Sequence, residues 1–173
     1  GAANPVSAAE RTCEIARKLG VSGLKIACVT GDDITDELDK YENEKVLEDG
    51  TLLKEKKDVL ISANVYMGAE GITKALEEGA DLVITGEGQL DGQTVMGKAP
   101  IGVAKLSKEY CKPVLAFSGC VTKDASACNA AGIDAFFPIL RSVVSLEEAM
   151  DVKNAAENMT DTVEQAFRLF LLQ

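Results

Sequence analysis

The sequence predicts an α/β fold: a three-layer α/β/α arrangement around a mostly parallel sheet of about five strands, Rossmann-like or flavodoxin-like. Three observations predict it. Short apolar runs alternate with segments of helical period, the pattern of successive βαβ units. No two runs are joined by a short hairpin turn, so parallel pairing through crossovers follows. The runs are nearly continuous in apolar residues, as strands covered on both faces are. The 173 residues suffice for one full core. No linker or low-complexity stretch interrupts them, so residues 1–173 read as a single domain.

The elements follow in chain order. Val6–Leu19 reads as a helix, with Ala8, Cys13, Ile15, Ala16 and Leu19 towards one face. Pro5 suits its start and Gly20 its stop. Leu24–Thr30 (LKIACVT) reads as a buried strand, Gly31-Asp32-Asp33 as a turn and Ile34–Tyr41 as a short helix. Glu42–Lys57 is polar and reads as an excursion, a short hairpin or lid. Asp58–Val65 (DVLISANV) is a second strand, and Gly68–Glu78 a helix closed by Gly79. Asp81–Thr85 is a third strand and Ile101–Tyr110 a helix. Pro113–Ser118 (PVLAFS) is a fourth strand and Ser126–Ala131 a short helix ended by Gly132. Ala135–Leu140 (AFFPIL) is a fifth strand, which Pro138 confines to a sheet edge or a bulge. Ser145 and Glu148 form a capping box that opens a last helix towards Leu172. Met159, Val163, Ala166, Phe167 and Phe170 give that helix an apolar stripe, and Asn154–Asn158 are the residues expected to bend or break it.

Composition narrows the chemistry. The net charge of −10 argues against nucleic acid or an anionic membrane as partner. No apolar run approaches the roughly 20 residues of a membrane helix, and the start lacks the features of a secretory signal. Gly1 is either a tag remnant or a start inside a longer protein. The absence of histidine rules out a Ser-His-Asp triad, a Cys-His pair and His-ligated zinc. Five cysteines without a CxxC spacing read as buried thiols in a reducing, cytoplasmic setting. Cys120, just past a strand end, is the one placed for chemistry. Tyr66 and Met67 read as packing residues.

Residues 86–102, GEGQLDGQTVMGKAPIG, carry the functional signal. A connection in a compact domain takes a median of about five residues, and this one spends far more. Ligands of parallel α/β sheets bind at the carboxyl ends of the strands, where Gly31-Asp32-Asp33, Ser62-Ala63-Asn64, Gly86-Glu87-Gly88 and Ser118-Gly119 fall. Gly86, Gly88, Gly92 and Gly97 permit close backbone approach and unusual dihedrals. Backbone donors before the next helix suit a phosphate, and Lys98 neutralises a phosphate or carboxylate. Glu87, Asp91 and Asp32 offer hard oxygen to Mg²⁺ or accept a proton from a hydroxyl. Gln93 and Thr94, with Asn64 and Ser118, would orient a small polar substrate. The spacing is not that of a P-loop, because Ala99 stands where Ser or Thr would ligate Mg²⁺. Asp32-Asp33 reads equally as an Asx turn or cap, and Asn64 as a strand-end hydrogen bond.

From Ala80 the text ADLVITGEGQLDGQTVMGKAPIGVAKLSKEYCKPVLAFSG, then AAGIDAFFPIL and SLEEAM, resembles the carboxyl-terminal part of type I glycerate kinases. The resemblance implies transfer of a phosphoryl group from ATP to glycerate with Mg²⁺. It places Glu87, Asp91, Gln93, Thr94 and Lys98 in the active-site region. That family's PDSFKG-like and ADGGEGT-like amino-terminal signatures are absent. GAANPVSAAERTCEIARKLG, LKIACVTGDDITDELD and VLISANVYMGAEGITKALEEGADLVITG instead resemble the amino-terminal domain of the acyclic terpene utilisation (AtuA-like) family, over residues 1–86. The two resemblances share ADLVITG, and the chain reads as a natural hybrid or a recombined one. Three readings stay open. The first is a glycerate-kinase-like phosphotransferase with part of its apparatus missing. The second is a non-catalytic domain that binds a small anionic ligand or nucleotide. The third is a recombined or designed fold without activity.

Overall fold

A computed structural model of the chain describes residues 5–60 and 63–170. Ser62 and Leu172 of the sequence reading lie outside the described residues, as do the side chains of Pro5, Ala8 and Phe170. The chain divides into two compact units, residues 1–75 and 76–173. It is an α/β protein with a parallel three-stranded sheet, all of it in the second unit.

In the first unit, helix α1 spans Pro5–Lys18. Arg17 and Lys18 in its last turn complement the helix dipole, and Gly20 takes a left-handed φ of 72° just beyond it. The expected strand Leu24–Thr30 is not a strand. Its residues pair with no neighbour by strand hydrogen bonds, and most of them are exposed. Cys28, expected inside that strand, is exposed too. A strand without a ladder partner has nothing to satisfy its backbone groups except water. Likewise Asp58–Val65 forms no strand among the described residues; Lys57–Val59 is a 3₁₀ turn, and Asn64 makes a single antiparallel bridge to Asp33. Tyr66, expected to pack, stands fully exposed, and Met67 is exposed as well.

The predicted helix at Ile34–Tyr41 is a 3₁₀ helix, Thr35–Tyr41. It follows an Asx turn in which the Thr35 N–H donates to Asp33 Oδ1 at 2.9 Å. The excursion after it holds a small hairpin contact, an antiparallel bridge from Lys45 to Leu52. Leu38 is the one buried apolar side chain among the described residues of this unit. With so little burial, its segments have no core to flatten against.

Helix α2, Glu70–Glu77, crosses the division between the units and is closed by Gly79 at φ 96°. The second unit then runs β1 (Val83–Leu90), α3 (Ala99–Glu109), β2 (Val114–Val121), α4 (Ala127–Ala130), β3 (Ala135–Pro138), α5 (Leu146–Met150) and α6 (Val152–Phe170). The strand order is β1-β2-β3, and both pairings are parallel. Val83 lies opposite Val114, Gly86 opposite Phe117 and Leu90 opposite Val121. The sheet thus has three strands where five were expected, because the first two predicted strands do not join it. Pro138 ends β3, an edge strand, as a residue without an N–H must.

Two of the predicted strands run longer than expected. β1 continues through Glu87, Gly88 and Gln89 to Leu90, and β2 through Gly119 and Cys120 to Val121. Polarity hid this extension, since Glu87 and Gln89 are polar strand residues among glycines. Alternation along β2 turns Leu115 and Phe117 to one face. There they pack with Ile139 and Ala166, flanked by Met159 and Val163 of α6. The Phe117 and Phe137 rings stack with centroids 5.5 Å apart, a contact worth about 0.5–1.5 kcal/mol beyond its buried area. Helix α3 packs against β1 and β2 and buries Pro100, Ile101 and Ala104.

The last helix breaks earlier than expected. Asp151, not Asn154–Asn158, separates α5 from α6, because its carboxylate accepts the N–H groups of Lys153 and Asn154 at 2.9 and 3.0 Å and so caps a new helix. The Ser145–Glu148 capping box forms as predicted. Among the described residues no helix is long and apolar enough to cross a membrane.

Asp134 ties the start of β2 in place. Its Oδ2 accepts the Val114 N–H at 2.6 Å and pairs with Lys108. Partial burial pushes its carboxyl up, but Lys108 and the Val114 N–H outweigh that and leave it below the ordinary value. A lowered folded value means that the stabilisation is complete above the unfolded value, about 3.9, and is lost as pH falls through the folded one. Asp134→Asn should therefore flatten the fall of Tm with pH below about 4. Thermal melts of both proteins from pH 2 to 7 check this, and equal slopes in that acid range would contradict it. The carboxylate is half exposed, so added salt should shrink the difference.

Candidate active site at the end of the first sheet strand

The site is built where β1 leaves the sheet. Glu87 lies on β1 opposite Ser118. Past Leu90 the chain turns at Asp91-Gly92-Gln93 into a single 3₁₀ turn, Thr94–Met96. Gly97 then reverses it with a left-handed φ of 108°, and Lys98 caps α3 in extended conformation. Of the four glycines expected to need unusual dihedrals, Gly97 is the one with positive φ.

Asp91 organises the turn. Its Oδ1 accepts the N–H groups of Gln93 and Thr94 at 2.9 and 3.1 Å and lies 3.3 Å from Lys98 Nζ. Its Oδ2 receives the Gln89 amide at 3.3 Å. Burial pushes the Asp91 carboxyl up, but Lys98, Gln89 and the Gln93 N–H together hold it below its ordinary value. It therefore stays a carboxylate through the physiological range.

Thr94 is fully buried. Its hydroxyl donates to Glu87 Oε1 at 2.5 Å and accepts the Asp91 N–H at 3.1 Å. A hydroxyl has one proton, and the shorter contact claims it. Thr94 thus ties Glu87 to the Asp91 turn, and its hydroxyl is already spent on the protein. Lys98 Nζ stands between the carboxylates, 3.3 Å from Asp91 Oδ1 and 3.8 Å from Glu87 Oε2. An ammonium has three donors, and these contacts leave it capacity for a ligand.

The other predicted residues divide. Gly86 makes a close approach, but to the sheet itself: a Cβ there would sit 2.1 Å from the Phe117 carbonyl oxygen. A Cβ on Gly88 would meet open space. Gln93 is exposed on the turn. Ser118 is buried, with its hydroxyl accepting the Leu90 N–H at 3.0 Å and donating to the Cys120 carbonyl at 2.7 Å. Asp32 and Asn64 belong to the first unit, where the Asn64 amide donates to Asp32 Oδ2 at 3.0 Å. The structure thus brings Glu87, Asp91, Thr94 and Lys98 together and pairs Asp32 with Asn64. Cys120 is exposed on β2, whereas Cys128 is buried with its thiol 3.9 Å from the Asp91 carbonyl. Burial, then the carboxylates of Glu87, Asp91 and Asp124, push that thiol up and keep it protonated.

The segment after β2 was missed by sequence reasoning. Thr122 donates to the Leu90 carbonyl from both its N–H and its hydroxyl, at 3.0 and 3.2 Å. Asp124 accepts from the Thr122 hydroxyl, and its Oδ2 lies so close to Gly92 that a Cβ there would stand 2.5 Å away. The one available signal was a Thr-x-Asp capping pattern just past a strand end.

Residues 56–171 match the glycerate kinase family, and residues 1–99 match the acyclic terpene utilisation family protein AtuA. The chain belongs to the glycerate kinase family through its carboxyl-terminal part and to the AtuA family through its amino-terminal part. The two matches overlap over residues 56–99, more widely than the seven residues that the sequence reading assigned to both.

Among relatives of the glycerate kinase part, the glycerate kinase of Bacillus subtilis (strain 168) is 43% identical over 107 residues, 59% of this chain and 28% of that protein. The glycerate kinase of Bacillus cereus is 52% identical over 85 residues, 49% of this chain and 22% of that one. Glycerate 2-kinase of Escherichia coli (strain K12) is 38% identical over 113 residues, 60% of this chain and 30% of that protein. This chain therefore spans about a quarter of the length of the curated relatives it matches. The crystal structure of a putative glycerate kinase 2 from Salmonella typhimurium LT2 is 32% identical and covers 58% of this chain and 26% of that one, with a TM-score of 0.33. Glu87, Asp91, Thr94 and Lys98 all lie within the glycerate kinase match.

Proposed function

We propose that the second unit carries a glycerate-kinase-like phosphoryl-transfer site, part of a larger active site, that acts from ATP on the hydroxyl of a small hydroxy acid. One observation carries the reading: Glu87, Asp91 and Lys98 converge at the end of a parallel strand, inside the segment matched to glycerate kinases. Their roles follow from their chemistry. Lys98 has a free donor for a transferring phosphate, and its charge offsets the charge that develops there. Glu87 is the group to take the proton of the acceptor hydroxyl. Gly88 leaves the strand backbone open to close approach, and Gln93 is exposed for a polar substrate group. Thr94 and Ser118, expected to touch substrate, support the site from within instead.

The donor set fits Mg²⁺. Glu87, Asp91, Asp124 and Lys98 together carry an excess of negative charge, which repels a nucleotide unless a cation lies between. Among the described residues no group of three or more acidic or cysteine side chains forms a metal cage, and Mg²⁺ characteristically uses one or two carboxylates with substrate phosphates and water. Asp91 and Glu87 would hold it here. When bound, the ion would supply positive charge to offset that of the phosphates.

On this reading the three strands are part of a larger three-layer α/β/α sheet. β1 lies at an edge of the present sheet, where a further strand can add. Five free cysteines support a reducing, cytoplasmic setting, and a net charge of −10 supports a small-molecule partner rather than nucleic acid.

The test is release of ADP with ATP, Mg²⁺ and glycerate in a coupled assay. Turnover that needs all three supports the proposal. Turnover no higher than without glycerate would overturn it. The AtuA match over residues 1–99 favours a second reading, a hybrid domain that binds a small anion without catalysis. Calorimetric binding of a nucleotide with no turnover would select it.

A further inference from the structure

Three polar contacts meet at the Thr94 hydroxyl. Glu87 Oε1 lies 2.5 Å away, the Asp91 N–H 3.1 Å and Asp91 Oδ1 3.3 Å. One proton faces two carboxylates, and distance decides between them. A hydroxyl that donates to a charged oxygen does so at about 2.5–2.7 Å. The Glu87 contact lies in that range and the Asp91 Oδ1 contact beyond it, so the proton goes to Glu87. Thr94 is completely buried, where a hydrogen bond is electrostatically stronger than in water. Its place is set independently of Glu87. Its own N–H donates to Asp91 Oδ1 at 3.1 Å, it opens the 3₁₀ turn Thr94–Met96, and β-branching restricts its χ1. Glu87 stands seven residues earlier, on β1, and would otherwise keep the rotamer freedom of a long side chain. The contact engages one of its oxygens and not the other. Glu87 Oε2 lies 3.8 Å from Lys98 Nζ, too far for a hydrogen bond, and the side chain is 20% exposed. Oε2 is thus the oxygen left with accepting capacity, beside the cation that faces the phosphate.

We infer that Thr94 is a positioning residue for Glu87: its hydroxyl holds Oε1, so that Oε2 is the atom that takes the proton of the acceptor hydroxyl. The catalytic step rests on the phosphoryl-transfer reading, but the hold itself does not. In that step the acceptor O–H bond breaks and its proton bonds to Oε2. The acceptor oxygen bonds to the γ-phosphorus of ATP, and the bond from that phosphorus to the bridging oxygen breaks, its electron pair leaving with ADP. Thr94 touches neither reactant. It matters because a base works only from a set place and distance. The two parts of the threonine side chain have separate tasks: the hydroxyl holds Glu87, and the γ-methyl fills buried space. Thr94→Ser keeps the hydroxyl and loses the methyl group, whereas Thr94→Val keeps the shape and loses the hydroxyl. A positioning role and a packing role therefore rank the two variants in opposite order.

The experiment compares the whole chain with its Thr94→Val and Thr94→Ser variants by NMR and, in parallel, by the ADP-release assay. In the parent the Thr94 hydroxyl proton should give a slowly exchanging signal with a nuclear Overhauser contact to the Glu87 γ-protons. Thr94→Ser should keep that contact through its own hydroxyl. In Thr94→Val the Asp91 amide, deprived of its acceptor, should exchange about tenfold faster or more. The amides of Val114 and Ala116 in β2 should keep their protection in both variants, which shows that the fold survives. In turnover, Thr94→Val should lower kcat roughly tenfold to a hundredfold with KM for ATP changed less than about twofold, and Thr94→Ser should recover most of the loss. Equal loss in both variants, or a larger loss in Thr94→Ser, would overturn the inference, as would a parent whose Thr94 hydroxyl shows no contact to Glu87. If Thr94→Val loses protection throughout β2, the hydroxyl contact and Thr94→Ser decide instead, and a kcat for Thr94→Ser below about a tenth of the parent value overturns the inference. A chain with no turnover at all would sink the phosphoryl-transfer reading, while the hydroxyl contact and the Asp91 exchange still decide the hold.

Discussion

Gly86→Ala is expected to unfold the second unit, whereas Gly88→Ala, two residues along the same strand, leaves it folded. The difference lies in what a methyl group meets. At Gly86 it would lie 2.1 Å from the Phe117 carbonyl oxygen and 3.2 Å from the carbonyl carbon. Those are backbone atoms of the central strand, and Phe117 is itself buried in the cluster with Leu115, Ile139 and Ala166. No rotamer change relieves the contact, so β1 and β2 must part or the strand must twist out of register. A forced core insertion costs typically 1–3 kcal/mol when side chains can shift; with backbone on the other side the cost should reach at least about 3 kcal/mol. For an ordinary domain that is a large share of its whole stability. At Gly88 the methyl group would meet nothing within 4 Å. Far-UV and near-UV circular dichroism with urea melts of both variants check the prediction. A Gly86→Ala protein as stable as its parent would show that the pairing of Gly86 with Phe117 is wrong.

Lys98→Met should abolish most of the phosphoryl transfer while the fold persists. Lys98 is the positive group between Glu87 and Asp91, and its side chain is partly exposed on the first turn of the site. A fixed cation aimed at developing phosphate charge is worth roughly 10²–10³ in kcat. Its removal also leaves two carboxylates facing each other with no counterion, so Mg²⁺ dependence should steepen. Glu87 and Asp91 are only 20% and 17% exposed, against 38% for Lys98, so losing the ammonium should also lower Tm without unfolding the chain. Lys98→Arg keeps the charge but not the compact ammonium, and should recover part of the rate. Initial rates against ATP and Mg²⁺ concentration, beside a thermal melt, check all three expectations. A Lys98→Met protein with undiminished kcat would remove Lys98 from the chemistry.

Much of the second unit was legible in the sequence, and little of the first. Between Ala80 and Leu140 the apolar runs ADLVIT, PVLAFS and AFFPIL became β1, β2 and β3 because each had parallel neighbours within reach and helices to cover it. The same kind of run at LKIACVT formed no strand. Apolarity marks a segment that can pair, but pairing needs a partner, and the first unit buries little beyond Leu38. The limits of the site were misread for the opposite reason. Glu87, Gly88 and Gln89 look like a loop in composition, yet hydrogen bonding to Ser118 and Cys120 makes them strand.

The cluster itself was legible as to residues and not as to roles. Glu87, Asp91, Thr94 and Lys98 were named from the spacing of polar groups in one segment. That Thr94 turns inward to bind Glu87 depends on the 3₁₀ turn at Thr94–Met96, which no period announces. Asp124 was invisible because its neighbour Gly92 lies 32 residues earlier in the chain and carries no side chain to match.

The central claim is that this cluster receives the phosphates of a magnesium-bound nucleotide. The most direct measurement is an amide and side-chain NMR titration of the whole chain with Mg²⁺ and a non-hydrolysable ATP analogue. The account predicts saturable shifts centred on Gly88, Gln93 and Lys98, which require both components and vanish in Lys98→Met. Shifts centred on other residues, or no saturable shifts at all, would contradict it.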